Sequence, residues 1–80
     1  MLAMERRHLR LAEHHLARAA LLIRQQEHRV IAVEAAGFDA EPSRYLLALM
    51  RETRLLMQEH RRQILAAIER LSWKQEPHEK

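Results

Sequence analysis

The only glycine of the chain constrains its fold more than any other residue. Gly37 lies near the middle of the 80 residues, and residues 3–36 before it contain neither glycine nor proline. A long segment without a helix breaker favours one continuous helix. Gly37 suits the left-handed position just past a helix end, and we expect Phe38 to fold back onto Val33 as the apolar contact that accompanies such an end.

The residues after Gly37 predict the start of a second helix. Asp39 is a good N-cap, and Pro42 is tolerated in a first turn because its missing N–H would be unpaired there anyway. The predicted organisation is one hairpin domain at 1–73, with helix 1 at about 3–36, a turn at 37–40 and helix 2 at about 41–72, followed by a polar tail at 74–80.

The composition favours an all-α protein. Hydrophobic residues make up 48% of the chain and charged residues 31%, but aromatic residues only 4%, which is low for a β-fold of this size. A short turn between two long helices makes them antiparallel. The chain contains no cysteine, so disulfides and thiolate metal sites are excluded.

Heptad spacing runs through both predicted helices and defines a seam. Apolar lines at sevenfold spacing in helix 1 are Leu2, Leu9, Leu16, Ile23 and Val30, beside Ala12, Ala19, Gln26 and Val33; those in helix 2 are Met50, Met57, Ile64 and Leu71, beside Leu46, Thr53, His60 and Ala67. Folding the chain at the turn pairs residues whose numbers add up to about 79. We therefore expect buried polar layers in which Gln26 meets Thr53 and His60 meets Ala19, and these layers fix the register.

The apolar stripes are broader than one partner helix can cover, so a second copy is expected to cover the remainder. The sequence predicts that the antiparallel two-helix hairpin dimerises into a four-helix bundle, and pairing of such dimers into a tetramer stays open. The predicted dimer interface consists of Leu16, Leu22, Ile23, Leu49, Leu56, Met57, Ile64 and Ile68.

Six histidines raise the question of a metal site. Glu5 and His8 have the Glu-x-x-His spacing of di-iron bundles, and His15 and His60 lie near the same level of the hairpin. A second pair of glutamates is missing at that level, so packed or solvated histidines are the preferred interpretation. We therefore expect no metal ion and no cofactor, and the histidine and glutamate set is kept as an alternative.

Catalysis has no candidate residues here, because the sequence lacks a nucleophile–base set and a glycine-rich phosphate loop. A nucleic-acid interface is the stronger alternative, since the net charge is +3 and arginines cluster at the end of the hairpin away from the turn. The arginines of that cluster are Arg6, Arg7, Arg10, Arg61, Arg62 and Arg70. Interleaved glutamates and the lack of exposed aromatic pairs for stacking count against it.

These observations predict a non-enzymatic, homo-oligomeric helical bundle that acts as a protein–protein interaction, adaptor or regulatory module. Its protein partner is unknown. The first residues carry charges where a signal peptide needs an apolar core, and the longest apolar run is too short to cross a bilayer. We therefore expect a cytoplasmic protein without a membrane partner.

Several short features are shared with a known family. They are Arg24-Gln25, the turn Gly37-x-Asp39, Leu46-Leu47, Thr53, His60-Arg61 and the upstream run HLRLAEHHLA at 8–17. Across most of residues 8–68 the chain resembles a family of short helical-hairpin proteins of alpha-proteobacteria whose function is not established. The resemblance implies the hairpin and carries no functional residue across, and Pro42 is atypical for it.

Overall fold

The computed structural model describes residues 1–75, with the backbone alone for the last of them. Helix α1 spans Leu2–Ala35 and helix α2 spans Glu41–Gln75, and the two pack against each other along their length. The all-helical class and the two-helix hairpin are confirmed. Helix α2 continues three residues past its predicted end at Ser72, and residues 76–80 of the predicted tail lie outside the described residues.

The connection between the helices follows local rules that the sequence already contains. Gly37 has a positive φ of 80°, its N–H donates to the Glu34 carbonyl, and the Phe38 N–H donates to the Val33 carbonyl. This pair of bonds is the Schellman ending, which satisfies carbonyls that the last helical turn leaves open. The Phe38 side chain, however, is 74% exposed, so the predicted apolar contact with Val33 can bury only a small part of the ring.

Asp39 starts the second helix. Its carboxylate Oδ1 accepts a hydrogen bond of 3.0 Å from the Glu41 N–H, which would otherwise be unpaired at a helix N-terminus. The negative charge of Glu41 in the first turn also favours the positive end of the helix dipole. One turn therefore ends α1 and begins α2 within five residues.

The core lies between the two helices and is concentrated toward the turn. A buried cluster contains Ile23 and Val30 from α1 with Ala40, just before α2, and Leu47 of α2. Nearer the open end, burial depends on Ala12 and Ile64, which are 8% and 5% exposed. Since few large side chains are fully enclosed, the hairpin alone has a small core for its length.

The rotation of α2 about its own axis differs from the predicted one. The line that faces α1 is Ala40, Leu47, Arg54, Arg61 and Ile68, all of them buried or half-buried, together with the predicted line of Met50, Met57, Ile64 and Leu71. The expected second line of Leu46, Thr53 and His60 is exposed instead. Because one line stays in the seam and the other is replaced by its neighbour, the difference in rotation is about 50°, half of the roughly 100° between successive residues, and it puts the aliphatic stems of two arginines in the seam.

This rotation corrects the predicted buried polar layers. Gln26 is 7% exposed, but its Nε2 donates to the Ser43 carbonyl at 2.9 Å rather than meeting Thr53. Thr53 is exposed, and its hydroxyl donates to the Leu49 carbonyl one turn earlier in the same helix. His60 is also exposed, so it does not face Ala19 within the hairpin.

Candidate functional site

An apolar groove between the helices is the most distinctive surface of the hairpin. Its volume is about 330 Å³, and it lies on the side of the hairpin where Leu46 and Thr53 of α2 are exposed. Its lining from α1 is His15, Arg18, Ala19, Leu22 and Ile23. Its lining from α2 is Leu46, Leu49, Met50, Thr53 and Met57. We call the side of the hairpin defined by these ten residues, extended along α2 to Leu56, the groove face.

Four leucines of the groove face are open to solvent. Leu22, Leu46, Leu49 and Leu56 are 39%, 47%, 42% and 72% exposed. Leu56 belongs with them because it is seven residues after Leu49 and three after Thr53, on the same stripe of an α-helix. Their combined exposure equals that of about two whole leucine side chains. Burying one whole leucine side chain contributes a free energy of about 1.5–3 kcal/mol.

Ion pairs connect the two helices on the opposite flank of the hairpin. Within the described residues, three ion pairs join the helices: Glu13 with Arg61 at 3.0 Å, Glu27 with Arg51 at 2.8 Å, and Glu34 with Arg44 at 3.6 Å. None of these six residues lines the groove. Because the three glutamates fall on one sevenfold line of α1, they define a single flank, which we call the ion-paired face.

The predicted interface residues separate into three groups by their exposure in the hairpin. Leu22, Leu49 and Leu56 lie on the groove face and are exposed. Ile23 and Ile64 are already buried within the single hairpin, at 4% and 5% exposure, and Ile23 also lines the groove. The remaining predicted interface residues, which are half-buried along the seam, are Leu16, Met57 and Ile68.

Two groove residues escaped the sequence reasoning. Arg18 and Leu46 both line the groove, whereas the sequence placed Leu46 in the seam and gave Arg18 no role. The spacing of Leu46, Leu49, Thr53 and Leu56 at intervals of three and four residues was the signal that could have identified a separate apolar stripe on α2.

The histidine and glutamate set is not brought together. In residues 1–75, no group of three histidine, aspartate or glutamate side chains is arranged to hold a metal ion. Glu5 and His8 are paired, with 3.9 Å between the carboxylate and Nδ1, as neighbours one helical turn apart. His15 lines the groove next to the His14 ring, with 5.9 Å between the two ring centroids.

Two members of the arginine cluster form ion pairs with described residues, and the other four are exposed. Arg61 is bound to Glu13 of α1, and Arg62 forms two bonds of 2.8 and 2.6 Å with Glu59. Arg6, Arg7 and Arg10 are exposed near the start of α1, and Arg70 is exposed near the end of α2. Two of the six arginines therefore have their charge balanced within the hairpin, which weakens the field available to a phosphate backbone.

The groove offers apolar contact rather than chemistry. The Thr53 hydroxyl donates within its own helix, and in the part of the chain that the structure describes no hydrogen bond connects it to His15. A second hollow, of about 540 Å³, lies beside Trp73, and all of its lining within residues 1–75 comes from α2, so it is a surface depression on one helix. The groove face is suited to covering by another apolar surface.

Comparison with protein-family models, with curated proteins and with solved structures finds no match to this chain. The resemblance to alpha-proteobacterial helical-hairpin proteins therefore stays a prediction based on the residues quoted for it. Over residues 1–75, neither helix combines the length and the hydropathy that crossing a lipid bilayer requires.

Proposed function

We propose that the chain is a non-enzymatic interaction module, a helical hairpin that self-associates through the groove face into a four-helix bundle in the cytoplasm. The observation that supports this is the contrast between the two sides of the hairpin. The groove face presents four half-open leucines, whereas the ion-paired face is closed by three ion pairs between the helices. In such a module the assembled bundle, rather than the single hairpin, presents a surface to an adaptor or regulatory partner.

The energetics support association. Each helix is about 50 Å long at 1.5 Å per residue, and the hairpin is 16 Å wide, so one face has a footprint on the order of 800 Å². A standard protein interface buries about 800 Å² per partner. Covering the four leucines of both copies contributes about 6–12 kcal/mol to the free energy of association. This is of the same order as the free-energy cost of the translational and rotational freedom that the two copies lose. The remaining apolar lining of the groove adds to this.

Two adjacent leucines give a matched test. Leu56 lies on the groove face and is 72% exposed, while Leu55 is 62% exposed and falls on a different stripe of α2. Leu56→Glu removes about 1–2 kcal/mol of apolar contact per copy, counted twice in a symmetric dimer, so its Kd should rise by about 30-fold to 1,000-fold. Leu55→Glu should leave the Kd unchanged.

The measurement is sedimentation equilibrium over a concentration series, with circular dichroism to show that each variant keeps its helices. A dimer that Leu56→Glu dissociates and Leu55→Glu does not would support the proposal. A wild-type hairpin that stays monomeric at 100 μM would contradict it, as would equal weakening by both substitutions.

A nucleic-acid function draws less support. Arg6, Arg7 and Arg10 are exposed together, but the α2 members of the cluster are paired or isolated. No exposed aromatic residue accompanies the three in the first turns of α1 to stack on bases. The interaction module is therefore the function that the geometry supports best.

A further inference from the structure

The two edges of the groove carry opposite charges. On the α1 edge, Arg18 lines the groove, and Arg29 lies seven residues after Leu22 on the same stripe. On the α2 edge, Glu52 and Glu59 alternate with Leu49 and Leu56 at intervals of three and four residues. The glutamates of α1 that could have balanced Arg18 are instead on the ion-paired face. Around its centre, the groove face is therefore flanked by a basic edge on α1 and by an acidic edge on α2.

This arrangement of charge distinguishes the two ways in which a second copy can cover the groove face about a twofold axis. If the axis runs along the hairpin, both turns lie at the same end and α1 of each copy covers α2 of the other. If the axis crosses the hairpin, the turns lie at opposite ends and each helix covers its own counterpart. The first arrangement brings basic edges against acidic ones, and the second brings like edges together.

The register of α1 against α2 shows where along the groove the two dimer arrangements differ in charge. The three ion pairs join residues whose numbers add up to between 74 and 78, so Arg18 lies level with residues 56–60 of α2. In the same-end dimer, Arg18 of one copy then approaches Glu59 of the second copy, with Glu52 about two turns away. In the opposite-end dimer, Arg18 faces Arg18 of the second copy, because it lies at the midpoint of Leu2–Ala35.

Two basic residues near Glu59, Arg62 and Arg70, do not change the expected attraction between Arg18 and Glu59. Glu59 already accepts from Arg62, but that pair is exposed on the surface of one helix, and a carboxylate can accept from two donors at once. Arg70 is a basic residue on the same edge of α2, but it lies eleven residues beyond Glu59, about 16 Å along the helix. At physiological salt that distance is about two Debye lengths, so Arg70 has little effect at the centre.

We propose that two copies pair with their turns at the same end, α1 of each over α2 of the other, with Arg18 against the acidic edge that contains Glu52 and Glu59. This inference rests on the proposed self-association and specifies its partner and its geometry. It makes the centre of the groove a charge-matched contact as well as an apolar one.

Spin labels on single cysteines test the arrangement, and the cysteine-free chain makes each introduced thiol unique. Phe38→Cys labels the turn, where the side chain is 74% exposed and away from the groove. In the same-end dimer, two labels there are separated only by the bundle cross-section, about twice the 15 Å thickness of one hairpin. In the opposite-end dimer they are about 50 Å apart, the length of a helix.

Gln58→Cys is the control, because Gln58 is exposed at the midpoint of α2 and both arrangements keep its two copies level. A distance near 30 Å or less at the turn supports the proposal. A distance near 50 Å at the turn, with a dimer signal at the control, overturns the arrangement and leaves self-association standing. Loss of the dipolar signal at both positions overturns self-association itself, and this inference with it.

Arg18→Gln supplies a second measurement whose sign differs between the arrangements. The substitution removes the charge and keeps an unbranched stem with similar helix propensity. In the same-end dimer it removes an attraction twice, so the Kd at physiological salt should rise by about twofold to tenfold. A Kd that falls on Arg18→Gln would show that the charge repels its own copy, and it would overturn the proposal.

Discussion

Replacing Arg54 with methionine should stabilise the hairpin. Arg54 lies in the seam between Leu47 and Arg61 on the line of α2 that faces α1. In the described structure its Nε is buried and has no hydrogen-bond partner. Arg61 on the same line differs, because its guanidinium reaches Glu13 across the seam. The stem of Arg54 packs, but a donor in its head group is left unpaired.

The expected gain follows from that donor. A buried donor without a partner costs about 1–3 kcal/mol, and methionine fills the stem volume with no polar atom. Helix propensity is similar for the two residues, so it does not enter the difference. We expect Arg54→Met to raise the free energy of unfolding by about 1–2 kcal/mol. For a chain of this size that corresponds to about 5–15 °C in Tm.

The assay is thermal unfolding followed by circular dichroism at one fixed protein concentration, because self-association makes Tm depend on concentration. Arg51→Met is the matched control: it is the same substitution one turn earlier in α2, at an exposed arginine paired with Glu27. It should lower stability by about 0–1 kcal/mol. If Arg54→Met melts at or below the wild-type temperature while Arg51→Met behaves as expected, the buried donor carries no cost and the reasoning fails.

Two further predictions concern the turn and one exposed ion pair. Gly37→Ala should destabilise the hairpin by about 1–2 kcal/mol in urea unfolding, because φ at this position is 80° and a Cβ strains the left-handed conformation although no atom obstructs it; an unchanged urea midpoint would contradict this. Hydrogen bonds from Arg62 hold the pKa of the Glu59 carboxyl below its ordinary value of 4.5. A pKa lower in the folded than in the unfolded chain stabilises the fold above the unfolded value, and this contribution is lost as the pH falls through the folded value. Stability should therefore decline slightly on acidification below about pH 4.5, less so in Glu59→Gln, and identical pH profiles for the two proteins would refute the assignment.

The hairpin could be predicted because each of its determinants is local. Gly37 ends α1 by a conformation that other residues rarely adopt, and Asp39 begins α2 by pairing an N–H that the helix cannot pair itself. The heptad lines of α1 predicted its buried side, since Ile23, Gln26 and Val30 are buried. Local backbone preferences and one periodicity were sufficient for this level of structure.

The rotation of α2 could not be predicted in the same way. Two neighbouring lines competed for the seam, one with Thr53 and His60 and the other with Arg54 and Arg61. A polarity scale ranks arginine as the more exposed residue, yet its long stem can pack while its head group reaches outward. The chosen line also gives Arg61 a partner in Glu13, a contact 48 residues apart that no local pattern contains.

The candidate site was partly accessible to sequence reasoning. The excess width of the apolar stripes predicted five residues beside the seam: Leu22, Leu47, Leu49, Leu56 and Ile68. Leu22, Leu49 and Leu56 are exposed there, whereas Leu47 and Ile68 lie on the line of α2 that faces α1. The width did not show on which side of the seam the exposed stripe of α2 would lie, because that depends on the rotation of the helix. Arg18 became visible as a groove residue only once both helices were in place.

The difference between the groove face and the ion-paired face also bears on how many copies can associate. A protein with association surfaces on two opposite sides can add copies without end, and such open-ended association produces filaments. In this hairpin the ion pairs between the helices lie on the ion-paired face, and the apolar groove lies on the groove face. If two groove faces close on each other as proposed, both are used up and the ion-paired faces lie outside, so this contact offers no place for a third copy.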